Sequence, residues 1–312
     1  MSLLLFLATL PSLYWSQPVE TAPAVRQAGI ERLCVPAEVA PAWQAAGLAV
    51  EPLGEKARAQ RTPVKAPGIV ARADQASASR RPWLDANGWR FLRAPAGRWW
   101  CDAPAGRAAL AAAEAFAFGA DEVVAIEPAA LEEAGRMLAF LAAVPDLDLP
   151  AHADVAVVDD GSPLVGEVLN LMARRNLLFE VVKKEAPDVA LSVRIGSKEF
   201  PREAARNPDA FALSVRRRLT DERRSLRLYG GEVVLARLLR DGTRARVHLL
   251  NYSGRTIEGL RVRLLGSWAP GDALVFGPGR TPVEDVAHPE GATEFSLPTL
   301  DAYAVVDFVT LK

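Results

Sequence analysis

A chain of 312 residues, 50% hydrophobic and 24% charged, is longer than one core usually supports and has the balance of a folded protein of two or three units. Its formal net charge of -1 removes any global electrostatic case for nucleic acid or for an anionic membrane surface as a partner. The three histidines (His152, His248, His288) are scattered and no Cys/His spacing matches a metal site, so neither a metal nor another cofactor is expected.

The chain opens with MSLLLFLATLPSL, a short apolar run with no basic flank and no small-residue cleavage pattern. It reads either as a degraded export signal, which would place the protein outside the cytoplasm, or as the lead-in to a first strand. It is too short to span a bilayer, and no transmembrane segment is expected elsewhere.

From Leu13 to about Pro145 short apolar strands alternate with alanine-rich helices. The strand candidates are LYWSQP (13–18), RLCVPAE (32–38), AVEPL (49–53), GIVARAD (68–74), RFLRAP (90–95), RWWCDAP (98–104) and EVVAIEP (122–128). Gly29 and Gly47 fall where helices should end, and the strongest helices are predicted over Ala105–Ala120 and Ala130–Val144. Regular alternation with short loops argues a parallel sheet. Seven strands in so short a stretch are dense beside the roughly 250 residues of a usual eightfold β/α barrel, so the barrel is either compact or incomplete. Cys34 and Cys101 sit on buried strands. There they read as small hydrophobes, with a disulfide between them as the alternative.

PDLDLPAHA (145–153) marks a boundary. Beyond it DVAVVDD (154–160) reads as a buried parallel strand, SPLVGEVLNLMARRNL (162–177) as a helix, and LFEVVKK and DVALSVRIG as further strands. RRRLTDERR (216–224) mixes acids among its bases and reads as an exposed helix or connector. From Leu226 the pattern becomes all β, with turns at Asp241-Gly242 and Ser253-Gly254. In RARVHLL and GLRVRLLG one face is apolar and the other basic, which predicts an antiparallel sheet with its arginines in solvent. The expected fold class is therefore α/β. A compact or incomplete TIM-like β/α barrel (1–147) leads to a small flavodoxin- or amidotransferase-like α/β unit (148–225) and a C-terminal antiparallel β-sandwich (226–312).

In a barrel, ligands and catalytic groups collect at the C-terminal strand ends. Consecutive strong strands there end on Asp102 and Glu127, a candidate pair of carboxylates for acid/base and nucleophilic roles at a glycosidic bond. Trp15, Trp99 and Trp100 offer apolar faces for sugar rings, although neighbours on one strand must point to opposite sides, so only one of Trp99 and Trp100 can line a pocket. Gln17, Glu20 and Arg93 complete the candidate binding set. Arg93, with Arg72 and Arg98, either binds an acidic sugar bidentately or neutralises the rim acids.

The segments ADVAVVDD, VHLLNYSGRTIEGLRVRLLG and LPTLDAYAVVDFV, in this domain order, resemble multidomain bacterial glycoside hydrolases, distantly the family 42 β-galactosidases. That resemblance implies a carbohydrate or other small-molecule ligand at the barrel rim, acted on or only bound. The Asn-Glu pair that such families carry on one barrel strand has no counterpart: the nearest segment, Ala125-Ile126-Glu127, lacks the Asn.

Overall fold

The computed structural model describes residues 10–70, 83–186 and 189–311. The chain begins with β1 (Ser12–Tyr14), α1 (Ala22–Gln27), β2 (Arg32–Pro36), α2 (Ala40–Ala45), β3 (Ala49–Leu53), α3 (Glu55–Ala59) and β4 (Thr62–Val64). An antiparallel pair of β5 (Gly68–Val70) and β6 (Trp83–Asp85) follows, then α4 (Gly88–Arg93), β7 (Arg98–Ala103), α5 (Ala108–Phe118), β8 (Asp121–Ile126) and α6 (Leu131–Ala143). Six strands form one parallel sheet in the order β3-β2-β1-β8-β7-β4. The first and last strands of the alternation are neighbours, as in a barrel. No ladder joins β3 to β4 among the described residues, so the sheet is open there. Pro63 in β4 has no amide to donate and suits that edge.

Two of the expected strands differ. Residues 88–93 form α4 instead of the strand read in RFLRAP: Asn87 stands at its N-cap without a capping bond from its side chain, and the buried carboxylate of Glu114 accepts from the Asn87 and Gly88 amides instead. GIVARAD contributes only β5, which pairs antiparallel with β6 and stands off the main sheet, and its residues 71–74 lie outside those described.

Side-chain alternation gives the parallel sheet two different faces. Leu13, Trp15, Leu33, Val35, Cys101, Ala103, Val124 and Ile126 pack against the helix layer of α1, α2, α5 and α6. Tyr14, Cys34, Trp100 and Val123 face the other way, where Ala57 of α3 packs on them. The two cysteines thus belong to opposite faces, and both are free and buried. Burial pushes the Cys34 thiol up to about 11, so it behaves as an inert small hydrophobe.

Next come β9 (Val155–Val158), α7 (Pro163–Ala173), β10 (Phe179–Val182), β11 (Leu191–Arg194), α8 (Arg202–Ala205) and α9 (Pro208–Leu219). The strands form a parallel sheet in the order β10-β9-β11. Ser162 caps α7 by accepting from the Val165 amide at 3.3 Å, with Pro163 at the first helical position. The RRRLTDERR segment is not an exposed connector throughout. Arg224 is buried and donates to the Arg175 and Asn176 carbonyls, while Asp221 accepts from Arg216 and Arg224 and is held at about 2 by those guanidiniums.

The remaining strands are β12 (Leu226–Tyr229), β13 (Val234–Arg240), β14 (Arg244–Asn251), β15 (Ile257–Leu265), β16 (Trp268–Pro270), β17 (Ala273–Val275), β18 (Gly279–Thr281), β19 (Glu284–Ala287), β20 (Ala292–Leu300) and β21 (Tyr303–Thr310). They build two antiparallel sheets, β12-β15-β20-β19 and β13-β14-β21-β17-β18, with β16 beside β21. Val234, Val247, Leu249, Val262, Phe295 and Val306 from both sheets share one apolar core. The expected solvated basic face of β14 is reduced to Arg244 at its start: beyond it that side packs against α5 and α6, burying Arg246 and His248, and Arg237 and Arg263 are buried as well. No helix among the described residues is long and apolar enough to cross a membrane.

Glu122 lies on the helix side of β8, fully enclosed, and its Oε1 has no hydrogen-bond partner. Burial, reinforced by the charge of nearby Glu114, raises its pKa well above the ordinary value. A carboxyl group raised in the folded state stabilises fully below its unfolded pKa, and that contribution is lost as pH rises through the folded value. Glu122→Gln is therefore expected to exceed the parent in urea-unfolding stability by about 1 kcal/mol or more near pH 8, with the gap closing towards about pH 4. Equal stabilities at both pH values would refute a buried, proton-binding Glu122.

Candidate functional site

The chain leaves the parallel sheet at Tyr14, Ala103 and Ile126, and the residues there enclose an open cleft of about 430 Å³ on the C-terminal edge. Ser16 and Gln17 follow β1, Asp102 closes β7, Glu127 follows β8, and Arg58 reaches in from α3. The register pairs Asp102 with Ala125, so Glu127 stands two residues further along the neighbouring strand. Strand spacing and rise then put the Asp102 and Glu127 Cα atoms about 8 Å apart. Both side chains are exposed and both line the cleft.

Each of these carboxylates already has a partner in the protein. The Trp100 indole donates to Asp102 Oδ1 at 2.9 Å, and the Ala105 amide donates to Glu127 Oε1 at 2.7 Å. Beside the latter, Glu133 accepts from the Gly106 amide at 2.8 Å and the Ala109 amide at 3.1 Å, so two acids satisfy the turn that opens α5. Tyr14 meets Trp100 edge-on, with centroids 5.0 Å apart at 63°. The Arg58 guanidinium covers both rings, 4.5 Å from the Trp100 centroid and 5.7 Å from that of Tyr14. Burial, partly opposed by Arg58, raises the pKa of the Tyr14 hydroxyl, which therefore stays protonated.

Of the residues singled out in the sequence, Asp102, Glu127, Trp100 and Gln17 come together in this cleft. Trp15 does not: it points into the helix layer, where its indole donates to Thr21 Oγ1 at 3.0 Å. Trp99 occupies the same side of the sheet, 5.4 Å from the Phe91 ring, because alternation on β7 sends it opposite to Trp100. Glu20 is exposed on the short turn Val19–Thr21 and lines no part of the cleft. Arg93 leaves the rim and grips Asp159 after β9 through Nε at 3.0 Å and Nη2 at 2.8 Å, with a further bond to the Ser162 carbonyl. Gly166 makes room for it, since a Cβ there would come within 2.6 Å of Arg93 Nη1. Arg98 pairs with Asp121 at the opposite end of the sheet, and Arg72 and Asp74 lie outside the described residues. Tyr14, Ser16 and Arg58 are cleft residues that sequence reasoning did not single out. Tyr14 had a usable signal, the alternation within LYW, whereas nothing in EKARAQ distinguishes Arg58.

No group of three or more His, Cys, Asp or Glu side chains among the described residues could hold a metal ion. The cleft offers hydrogen-bond donors and acceptors of both charges, with its one large aromatic face covered by Arg58.

Comparison with solved structures finds the fold again in α-L-fucosidase isoenzyme 2 from Paenibacillus thiaminolyticus, at 9% identity and a TM-score of 0.52 over 72% of this chain. The match takes in 62% of the fucosidase, so the chain spans less than two thirds of that protein. A rhamnosidase from Novosphingobium sp. PP1Y matches at 12% identity and a TM-score of 0.47, covering 88% of this chain and 38% of its own. A β-galactosidase from Rahnella sp. R3 matches at 10% identity and a TM-score of 0.45, covering 88% and 63%. No protein-family model and no curated protein sequence matches the chain. The fucosidase likeness shows the fold alone, and a fold shared with a glycoside hydrolase agrees with the resemblance read from the sequence at that coarse level.

The reassignment of Arg93 from ligand binding to a tie between sheets is open to measurement. Arg93→Met strands the Asp159 carboxylate, whose side chain is only 5% exposed, and is expected to lower unfolding stability by about 2 kcal/mol. A loss below about 0.5 kcal/mol, the range of ordinary surface substitutions, would show that the pair holds nothing together.

Proposed function

We propose that this chain recognises carbohydrate at the rim cleft by hydrogen bonding, as a glycoside-hydrolase-like protein that binds without cleaving. The observation that carries this reading is the convergence of Gln17, Asp102 and Glu127 on one open cleft at the C-terminal edge of the parallel sheet. Ligands of such folds gather at that edge, and a few convergent polar groups in a concave site fix the orientation of a polyhydroxylated molecule. In this reading residues 1–147 form an incomplete barrel-like unit, 148–225 a small α/β unit and 226–312 a β-sandwich that supports the first from behind.

Binding is favoured over hydrolysis by the partners of the two acids. Cleavage of a glycosidic bond asks one carboxyl group to donate a proton and the other to attack or activate water. Here one oxygen of Asp102 is held by the Trp100 indole and one oxygen of Glu127 by the Ala105 amide. Stacking of a sugar on Trp100 is likewise opposed by Arg58, which occupies that face. Recognition then rests on polar contacts to hydroxyl groups.

Calorimetric titration with oligosaccharides of galactose, fucose, rhamnose and glucose, run beside hydrolysis of the matching nitrophenyl glycosides, tests the reading. Saturable binding of at least one sugar is expected, weakened about tenfold or more in the Asp102→Asn/Glu127→Gln double variant, with no turnover. Turnover that disappears in Glu127→Gln would establish catalysis instead, and binding unchanged in the double variant would remove the cleft from the reading.

A further inference from the structure

Where β13 and β14 pack on α5 and α6, away from the rim, a cavity of about 310 Å³ remains. Phe116, Leu141 and Leu239 give it apolar walls, and Arg237, Arg246 and His248 give it a polar one. Arg246 is fully answered: Asp307 takes its Nε at 2.6 Å and Nη2 at 2.8 Å, and the Pro145 carbonyl takes Nη1. Arg237 is not. It is only 8% exposed, makes one hydrogen bond among the described residues, to the Ala117 carbonyl at 2.7 Å, and lies 4.9 Å from the Phe118 ring centroid. Its Nε has no partner, and no carboxylate among the described residues forms an ion pair with it. Burial lowers its pKa to about 10, which still leaves it charged at neutral pH.

His248 adds an orphan donor. It is 3% exposed, and its Nδ1 lies 2.6 Å from the Tyr303 hydroxyl. Burial raises the Tyr303 pKa far above its ordinary value, so the hydroxyl keeps its proton and donates it to Nδ1, leaving the ring proton on Nε2, which has no partner. Burial and the two neighbouring guanidiniums also lower the pKa of the imidazole well below its ordinary value and hold it neutral. The one acid lining the cavity among the described residues, Asp146, is exposed at its margin.

An unpaired buried cation is among the costliest arrangements in a folded protein, and a planar guanidinium is shaped to receive a carboxylate through two parallel bonds. We propose that this cavity binds a small organic carboxylate, with the acid group on Arg237 and His248 and the apolar body against Phe116, Leu141 and Leu239. The site is separate from the rim cleft and does not depend on the carbohydrate reading.

The test compares hexanoate and benzoate with hexanol, benzyl alcohol and inorganic phosphate, following Tm of the whole chain and the His248 ring resonances. The carboxylates are expected to raise Tm saturably and to shift the His248 signals, the alcohols and phosphate to do neither, and Arg237→Met to bind at least about tenfold more weakly. Since Arg237→Met removes a charge that lacks a partner, its own Tm should not fall below that of the parent. Alcohols as effective as carboxylates would reduce the cavity to an apolar void, phosphate as effective would reduce it to an unspecific anion site, and undiminished binding in Arg237→Met would remove the guanidinium from it. The His248 readout needs no variant: signals unmoved by saturating carboxylate overturn the proposal even if Arg237→Met fails to fold.

Discussion

One carboxylate, that of Glu114, meets four donors from two distant parts of the chain. It accepts from the Asn87 amide at 2.6 Å, the Gly88 amide at 3.0 Å, the Asn87 side chain at 3.2 Å and the Tyr252 hydroxyl at 2.6 Å. It sits in the middle of α5, a helix whose small alanine faces pack on the parallel sheet on one side and on β14 and β21 on the other. A helix buried nearly all round can carry such a group only if the group is satisfied. Burial raises the Glu114 pKa, the hydrogen bonds oppose that rise, and Tyr252 is pushed well above its ordinary value and stays a donor. The start of α4, the position of α5 and the docking of the C-terminal strands therefore share one electrostatic centre.

The same helix shapes the rim. Because α5 begins just after β7, its unsatisfied amides emerge at the edge where a barrel would hold its chemistry. Glu127 and Glu133 answer those amides, and Asp102 answers the Trp100 indole on the adjacent strand. A carboxylate fixed by a structural donor is positioned well for holding a ligand hydroxyl. It is correspondingly less available to exchange protons, which is why we propose recognition at this edge.

What the sequence made legible was local. Strands β1, β2, β3, β7 and β8 follow from apolar alternation, and the start of α7 from Ser162 and Pro163. What it hid was set by distant parts of the chain. The GWRFLR segment follows an N-cap asparagine, Asn87, whose side chain makes no capping bond, and the amides at its start are met by Glu114, more than twenty residues away. The arginines of RARVHLL match the pattern of a solvated face, and only the packing of α5 and α6 across β14 puts Arg246 out of solvent. Of the neighbouring aromatics Tyr14 and Trp15, and Trp99 and Trp100, alternation guarantees opposite directions without saying which one meets the cleft. The helix layer decided that by taking Trp15 and Trp99.

Arginine usage in this chain has a physical side. Several guanidiniums tie backbone segments together, some of them segments that no ladder joins. Arg61 bonds the Trp99 and Asp121 carbonyls together with the Asp121 side chain, Arg107 reaches the Pro67 and Ile69 carbonyls, Arg224 those of Arg175 and Asn176, and Arg246 that of Pro145. A rigid fork with five donors can hold two carbonyls, or a carbonyl and a carboxylate, where an ammonium on a flexible stem would hold them less well. Arg61, Arg224 and Arg246 each also have an acid to balance the charge they bury. Arg237 follows the same scheme only halfway, with one carbonyl and no acid among the described residues. The departure falls at the wall of a cavity, which is why we place a ligand's charge there.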